Sequence, residues 1–189
     1  MKKIAIFASG NGTNAENICN HFTNNKDVSV VLLATNKKTA FVVERIKKFN
    51  VPVFSFSKKE LNNTAIVQKK LLEYEVDLIV LSGFLLKIPE NIVSLFPNKI
   101  INIHPSLLPK FGGRGMYGEN VYKSVIDAKE VQSGITIHYV NGNYDEGNVI
   151  FQEKFSLVKH ETLESLLEKT RVLEMRFFPV VIERVINSL

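Results

Sequence analysis

The amino-acid sequence predicts an α/β protein, a single Rossmann-like domain with helices on both faces of a mostly parallel, twisted sheet. Short β-branched runs alternate with helical stretches through the first half of the chain. This pattern is typical of parallel strands joined by right-handed crossovers. Two later apolar runs flank Asn141-Gly142, a dipeptide that favours a hairpin. Antiparallel strands are therefore expected to extend the sheet in the C-terminal part.

Seven apolar segments bounded by turn residues are predicted to be strands. They cover residues 4–8, 28–34, 51–56, 78–81, 99–104, 134–140 and 148–155. Helices are expected from Asn14, Thr39 and Lys58, over the short segment 89–96, and over 119–128 and 161–178. Pro179 is expected to end or kink the last helix, because proline lacks the N–H that an interior helical residue donates. The 189 residues, 45% of them hydrophobic, suffice for one buried core, so the chain is predicted to be one domain, 1–189.

Charge and cysteine content argue against several classes of protein. The 24 Lys and Arg against 19 Asp and Glu give a formal charge of +5, and the paired lysines are expected on solvated helix faces. No basic stretch is interleaved with stacking aromatics, so nucleic-acid binding is not predicted. The single cysteine, Cys19, lies in an amphipathic helical pattern and is interpreted as an inert core thiol. No run has the length of a membrane span, and the sequence predicts a cytoplasmic protein with no membrane partner.

A glycine-containing loop, Ser9-Gly-Asn-Gly-Thr-Asn-Ala15, lies between the first predicted strand and the first helix. Glycines allow the backbone to approach a phosphate closely, and a helix N-terminus offers unpaired N–H groups. A dinucleotide site would also need an acidic residue at the end of the second strand, where the sequence reads Ala34-Thr35-Asn36. The loop is therefore interpreted as a cradle for one phosphomonoester. The alternative is a turn that needs glycine and an Asn or Thr helix cap.

Two polar side chains end the fifth predicted strand in the run Asn102-Ile103-His104-Pro105. Because side chains alternate along a strand, Asn102 and His104 are expected on one face and Ile103 on the other. Pro105 restricts His104 to extended conformations, which favours strand geometry up to the histidine. The carboxyl ends of parallel strands are where open α/β sheets bind ligands. Asn102 and His104 are therefore predicted to be functional.

The sequence here resembles the folate-dependent formyltransferase family, whose signature reads Asn-x-His-Pro-Ser-Leu-Leu-Pro. Asp145-Glu146-Gly147 matches the later Asp-x-Gly of that family, and the resemblance covers most of the chain. It implies 10-formyltetrahydrofolate as the co-substrate and no metal. Within the family, the sequence most resembles the members that formylate glycinamide ribonucleotide, a step of purine biosynthesis. This closer resemblance rests on the loop Ser9–Asn14, the single-domain length of the chain and Gly83-Phe84. On this reading residues 1–100 form a phosphate-binding half, and 101–189 a catalytic and folate half.

The resemblance implies that Asn102, His104 and Asp145 are the catalytic set. As the substrate amine attacks the formyl carbon, the formyl oxygen becomes negative, so hydrogen-bond donors must already point at it. The Asn102 amide and a protonated His104 would be those donors, each worth about 3 kcal/mol. Asp145 would keep the imidazole charged and accept the ammonium proton, directly or through water. Its alternative role is that of a turn residue in a loop rich in Asn and Gly.

The remaining implied contacts concern the two substrates. By the same resemblance Gly12, Thr13 and Asn14 bind the substrate phosphate, and Glu174 contacts the ribose hydroxyls. Leu85, Leu86, Lys87 and Ile88 match the folate pocket of the family, and Lys59 is the candidate for contact with the folate tail. His138 and Thr136 share one strand face near the site. The partners expected are thus two small molecules, with the chain a monomer or a homodimer.

Alternative functions remain open from the sequence. A sugar-amine formyltransferase or a formyl-folate hydrolase would share the same catalytic chemistry. Methionyl-tRNA formyltransferase is not expected, because it would need a further C-terminal domain for its large anionic substrate. A nucleotide-binding regulatory module would use the glycine loop without Asn102, His104 and Asp145. Such a module should bind a phosphomonoester and no folate.

Overall fold

The computed structural model describes residues 1–189 and contains one seven-stranded sheet in the order β3-β2-β1-β4-β5-β6-β7. The strands are β1 (Lys2–Phe7), β2 (Val28–Thr35), β3 (Val53–Ser55), β4 (Leu78–Leu81), β5 (Ile100–His104), β6 (Gln132–Tyr139) and β7 (Val149–Ser156). Strands β1 to β5 pair in parallel, whereas β6 pairs antiparallel with both β5 and β7. The predicted fold class, with antiparallel strands in the C-terminal part, is therefore confirmed.

Helices cover both faces of the sheet. They are α1 (Thr13–Phe22), α2 (Phe41–Ile46), α3 (Lys58–Asn63), α4 (Ile66–Glu73), α5 (Glu90–Val93), α6 (Glu119–Asp127) and α7 (Leu163–Asn187), with a 3-10 turn at Lys47–Phe49. No helix is both long enough and apolar enough to span a bilayer.

The hydrophobic core has two layers, one on each face of the sheet. Ile4 and Ile6 of β1 pack with residues of α1, α2 and α7, whereas Ala5 and Phe7 pack with residues of α3, α4 and α5. Strands buried on both faces read as continuous apolar runs rather than as an alternation, which is why the sequence indicates a parallel sheet here. Cys19 belongs to the first layer, and burial raises the pKa of its thiol to about 12, as expected of an unreactive core cysteine.

The helical segment from Lys58 is two helices rather than one. Helix α3 begins with a capping box between Ser57 and Glu60, and it ends at Asn63. The next residue, Thr64, has an extended backbone with φ −133° and ψ 161°, and α4 starts at Ile66. The run Asn62-Asn63-Thr64 combines residues of low helix propensity, whose side chains compete for backbone hydrogen bonds. A break at this point follows from that composition.

The alternative that Pro179 ends the last helix is wrong. Helix α7 continues through Pro179 to Asn187. Proline cannot donate to the carbonyl of the residue four positions before it, which here is Met175. The Met175 carbonyl instead accepts a hydrogen bond from Asn17 Nδ2 of α1, at 2.7 Å. A neighbouring helix thus supplies the missing donor, and α7 is one 25-residue element.

Candidate active site

A cleft of about 460 Å³ opens beyond the carboxyl ends of β1, β4 and β5. It brings together six residues that the sequence singled out: Asn14, Leu85, Asn102, His104, Asp145 and Glu174. Helices α1 and α7 supply Asn14 and Glu174, β5 supplies Asn102 and His104, and the loop between β6 and β7 supplies Asp145. The cleft lies where open parallel sheets bind ligands.

Asn102 is oriented by a histidine on the adjacent strand. Ile101 and Ile103 belong to the core layer on one face of β5, so Asn102 and His104 share the opposite face, as predicted. In the antiparallel register Asn102 faces His138, and the Asn102 Nδ2 atom lies 3.1 Å from His138 Nε2. The other ring nitrogen, Nδ1, lies 2.8 Å from the Tyr139 carbonyl oxygen, to which it donates.

This arrangement defines the tautomer of His138 and the rotation of the Asn102 amide. Burial lowers the pKa of His138, so the imidazole is neutral near pH 7. With its single proton on Nδ1, Nε2 accepts from the Asn102 amide nitrogen. One N–H of that amide is thereby occupied by His138. The second N–H remains for a ligand in the cleft.

His104 is buried and held from one side by the backbone. Its Nε2 lies 2.8 Å from the Phe111 carbonyl oxygen, to which only a protonated nitrogen can donate. Its Nδ1 faces Asp145 Oδ2 at 3.6 Å. This distance is too long for a strong hydrogen bond but suits an ion pair when both ring nitrogens are protonated. Nδ1 is therefore the ring nitrogen that faces Asp145.

Asp145 sits in the loop between β6 and β7 with φ of 56°, in the left-handed region that Asp tolerates better than most residues. Its Oδ2 accepts a hydrogen bond of 2.9 Å from the Gly113 N–H, and its Oδ1 lies 3.7 Å from His138 Nε2. Two residues later, a Cβ atom on Gly147 would overlap the Tyr139 carbonyl oxygen. Glycine in the Asp-x-Gly motif therefore allows this loop to pack against β6.

Thr136 holds the turn that follows His104. Its hydroxyl donates to the Ser106 carbonyl at 2.7 Å and accepts from the Leu108 N–H at 3.0 Å. Gln152 of β7 donates to the same hydroxyl at 2.8 Å and to the Leu108 carbonyl at 2.9 Å. Thr136 and His138 thus support the site, as their shared strand face indicated. Gln152 was not recognised in the sequence, because the antiparallel register of β7 is needed to place it.

The glycine loop ends in the N-terminus of α1, with Gly12 as the cap residue. Gly12 has φ of 81°, and no side chain caps the helix, so the Asn or Thr cap of the alternative interpretation is absent. The N–H groups of Gly12, Thr13 and Asn14 donate to no acceptor within the protein. A Cβ atom on Gly12 would lie 2.7 Å from Val42 Cα, so a glycine is required there by packing. Of these three residues only Asn14 lines the cleft.

Glu174 meets Asn14 across the interface between α1 and α7. Asn14 Nδ2 donates to Glu174 Oε2 at 2.8 Å. Burial raises the pKa of Glu174 above its usual value, and the Asn14 hydrogen bond and the charge of Arg171 oppose this only in part. The pair therefore places both hydrogen-bond donors and acceptors at one wall of the cleft.

The predicted folate residues divide between the cleft and an adjoining recess. Leu85 lines the cleft, while Leu86, Lys87 and Ile88 line a recess of about 70 Å³. The two spaces share Phe84, Asn102, Tyr144 and Asp145. Lys59 is exposed on α3 and lines neither space. A contact from Lys59 to a folate tail is thus not supported by its position.

The cleft also contains residues that the sequence did not assign. The loop between β5 and α6 contributes Gly113, Arg114, Gly115, Met116, Tyr117 and Gly118. Gly113, Gly115 and Gly118 all have positive φ, which explains the glycine spacing. The sequence shows that this loop is rich in glycine. Only the folded structure shows that the loop lies over the cleft.

Comparisons with known proteins identify the family of the chain. Residues 2–182 match the Formyl transferase family. The chain therefore belongs to the formyl transferase family. Within that family it groups with phosphoribosylglycinamide formyltransferases, and it is an enzyme of that group, as the sequence motifs indicated.

Individual relatives span the whole chain. The phosphoribosylglycinamide formyltransferase of Bacillus subtilis strain 168 is 38% identical and aligns over 99% of this chain and 96% of its own. The crystal structure of the enzyme from Bacillus Halodurans superposes with a TM-score of 0.87 at 35% identity, over 97% of this chain and 95% of that one. A glycinamide ribonucleotide transformylase from Symbiobacterium toebii gives a TM-score of 0.90 at 27% identity, over 100% of this chain and 89% of that one.

Proposed function

We propose that this enzyme transfers the formyl group of 10-formyltetrahydrofolate to the amine of glycinamide ribonucleotide, in purine biosynthesis. One observation carries the proposal: Asn102, His104 and Asp145 converge in a cleft that has Asn14 and Glu174 at one wall and Leu85 at another, next to a recess with both apolar and polar lining. A phosphorylated amine and a folate bound at these walls would meet at the three residues. The whole chain then acts as one formyltransferase domain, with phosphate binding in residues 1–100 and catalysis and folate binding mainly in 101–189.

The ribonucleotide is proposed to bind along α1 and α7. Its phosphate would accept hydrogen bonds from the free N–H groups of Gly12, Thr13 and Asn14, which the helix dipole favours for an anion. Glu174, with its carboxyl turned into the cleft beside Asn14, would accept hydrogen bonds from the ribose hydroxyls. The amine would then extend toward Asp145.

The folate is proposed to bind on the other side of Asn102. Its flat ring would enter the recess next to Leu86, Lys87 and Ile88, where backbone groups and apolar walls are available together. Because the recess and the cleft share Asn102 and Asp145, a formyl group attached to this ligand would project toward both residues.

The residues would then act as follows. The free N–H of Asn102 and the protonated Nδ1 of His104 would donate to the formyl oxygen as the amine nitrogen attacks the formyl carbon and the oxygen becomes negative. Asp145 would accept the proton that the amine loses, directly or through water. The bond between the formyl carbon and the folate N10 then breaks, and N10 takes up the proton that Asp145 accepted, directly or through water, which returns Asp145 to its starting state. The formyl group is thereby transferred with no covalent enzyme intermediate.

A transfer assay with the purified chain tests the proposal. We expect formylated product, identified by mass spectrometry, when glycinamide ribonucleotide and 10-formyltetrahydrofolate are both present. Parallel reactions contain an amino-sugar nucleotide in place of the ribonucleotide, or no amine at all. Product only with the amino sugar, or release of formate without any amine, would overturn the assignment of substrate in favour of a sugar-amine formyltransferase or a hydrolase.

A further inference from the structure

A single arginine outside the cleft holds the tip of the glycine loop. Arg45, on α2, donates from Nε to the backbone carbonyl of Asn11 at 2.9 Å and to its side-chain Oδ1 at 3.3 Å. Its Nη2 donates to the same Oδ1 at 3.1 Å. The third nitrogen, Nη1, donates to Glu16 Oε2 of α1 at 2.6 Å. All three guanidinium nitrogens are therefore engaged within the protein.

The rest of the loop is anchored by other contacts. The Ser9 hydroxyl donates to Asn36 Oδ1 at 2.6 Å and accepts from the Leu85 N–H at 3.0 Å. The Gly10 carbonyl accepts from the Val42 N–H at 3.1 Å. Asn11 is exposed, and its only hydrogen bonds in the protein are those from Arg45. The orientation of the loop tip thus depends on this one side chain.

The contact with the Asn11 carbonyl also orients the next N–H group. The carbonyl of Asn11 and the N–H of Gly12 belong to one planar trans peptide, so they point in opposite directions. With the carbonyl held by Arg45, the Gly12 N–H points away from α2, and it donates to no acceptor in the protein. This is the first of the N–H groups to which the phosphate is assigned in the proposed function.

Arg45 also compensates a charge that would disfavour an anion. Glu16 lies in the first turn of α1, where a carboxylate would repel a phosphate bound at the N-terminus of the same helix. Hydrogen bonds from Lys48 and Arg45, together with their charges, lower the pKa of Glu16, so it is ionised. Its negative charge is balanced by these two cations. The Arg45 guanidinium further lies 4.9 Å from the centre of the Phe41 ring, which restricts its orientation.

We infer that Arg45 is a positioning residue for phosphate recognition, which fixes the Asn11–Gly12 peptide and neutralises Glu16 without touching the phosphate itself. The inference rests on the proposed function of the loop. A lysine at this position would keep the charge but could not bind two oxygens of Asn11 and one of Glu16 in a single plane. The planar fork is what fixes the Asn11–Gly12 peptide, whereas the charge that neutralises Glu16 would be kept by a lysine.

The test compares Arg45→Lys and Arg45→Met with the control Lys48→Met, which removes a cation from Glu16 but leaves the contacts to Asn11 unchanged. Each protein is assayed with glycinamide ribonucleotide and with the riboside that lacks the phosphate. For Arg45→Lys we expect KM for the ribonucleotide to rise by about 10-fold with kcat within about twofold, the pattern of lost uniform binding. KM for the riboside should not change, and Lys48→Met should raise KM for the ribonucleotide by less than about threefold.

Two results would overturn the inference. Equal losses with ribonucleotide and riboside would mean that Arg45 only supports the fold. Normal KM in Arg45→Lys, with a loss confined to Arg45→Met, would mean that charge alone matters. Calorimetric titration with the ribonucleotide, without folate, separates this inference from the proposed function. A parent protein that binds the ribonucleotide but transfers nothing would contradict the proposed function while still allowing the comparison of binding among the variants.

Discussion

Asn102 Nδ2 and His138 Nε2 face each other across β5 and β6 at 3.1 Å, and the histidine is the acceptor. A neutral imidazole on the strand next to the site therefore sets which way the Asn102 amide is turned. If that amide donates to the formyl oxygen in the transition state, His138 contributes to the rate without contacting either substrate.

The first prediction concerns His138→Leu, which removes the acceptor and allows the Asn102 amide to rotate. We expect kcat to fall by about 10-fold, against about 100-fold for Asn102→Ala, with little change in either KM. Because His138 acts through Asn102, adding His138→Leu to Asn102→Ala should cost less than about twofold more. Steady-state kinetics of the two single variants and the double variant measure this. Fully additive losses would contradict the orienting role.

The second prediction concerns Asp145→Asn, which keeps the shape of the side chain and can still accept the 2.9 Å hydrogen bond from Gly113 N–H. The amide can neither pair with a protonated His104 nor accept the proton of the amine. We expect a folded protein that binds both substrates within a few-fold of the parent, while single-turnover transfer falls by about 1,000-fold. Transfer at a near-normal rate would mean that Asp145 is a turn residue.

The third prediction concerns the packing of Gly12 against α2. A valine at this position would have to adopt φ of 81°, with its Cβ atom 2.7 Å from Val42 Cα. Gly12→Val should therefore lower the free energy of unfolding by about 2 kcal/mol or more, as overpacking does elsewhere. Gly10→Ala is the matched control, since a Cβ atom there meets nothing within 4 Å. Equal thermal midpoints for the parent and Gly12→Val would contradict this packing.

The fourth prediction follows from the raised pKa of Glu174. Its usual value is 4.5, and in the folded protein the pKa lies above it, so the folded state binds this proton more tightly than the unfolded chain. The free energy of unfolding contributed by Glu174 therefore falls as pH rises from the unfolded to the folded pKa. In Glu174→Gln there is no carboxyl group to ionise, so this fall in the free energy of unfolding is absent. The thermal midpoint of the variant should therefore rise relative to that of the parent as pH increases from about 4 to about 7. A difference between the two midpoints that stays constant with pH would argue against a raised pKa of Glu174.

Much of the fold was predictable because its strands are buried on both faces. The bounds of β4, Leu78–Leu81, match the predicted segment, and every other predicted strand overlaps an observed one. The break before Ile66 was not predicted, and the predicted last helix, 161–178, stops short of the observed end at Asn187. The first depends on a short run of weak helix formers, and the second on a hydrogen bond from another helix, which local sequence patterns do not contain.

The residues of the candidate site also divide into those that the sequence predicts and those that only the tertiary structure shows. Alternation along one strand suffices to place Asn102 and His104 on one face of β5, and the family resemblance pointed to Asp145. Gln152, by contrast, reaches Thr136 only through the register of β7, and Arg45 reaches Asn11 from a different helix. Residues that support others from neighbouring elements leave no periodic signal in the sequence. Glycine is required at position 12 for packing, because the space that a side chain would take is filled by Val42 on another helix.

Pro179 has a consequence for the geometry of the substrate cleft. By leaving the Met175 carbonyl without its usual donor, it creates an attachment point for Asn17 on α1, one residue away from Glu174. Asn14 and Glu174 are joined less than one turn along the same two helices. The axial register between α1 and α7 is therefore held by three side-chain hydrogen bonds, of which the third joins His21 Nε2 to Glu183 Oε2 at 2.9 Å. One of the three ends on the carbonyl that Pro179 leaves without its usual donor. A proline in α7 thereby contributes to the relative placement of Asn14 and Glu174 at the wall of the cleft.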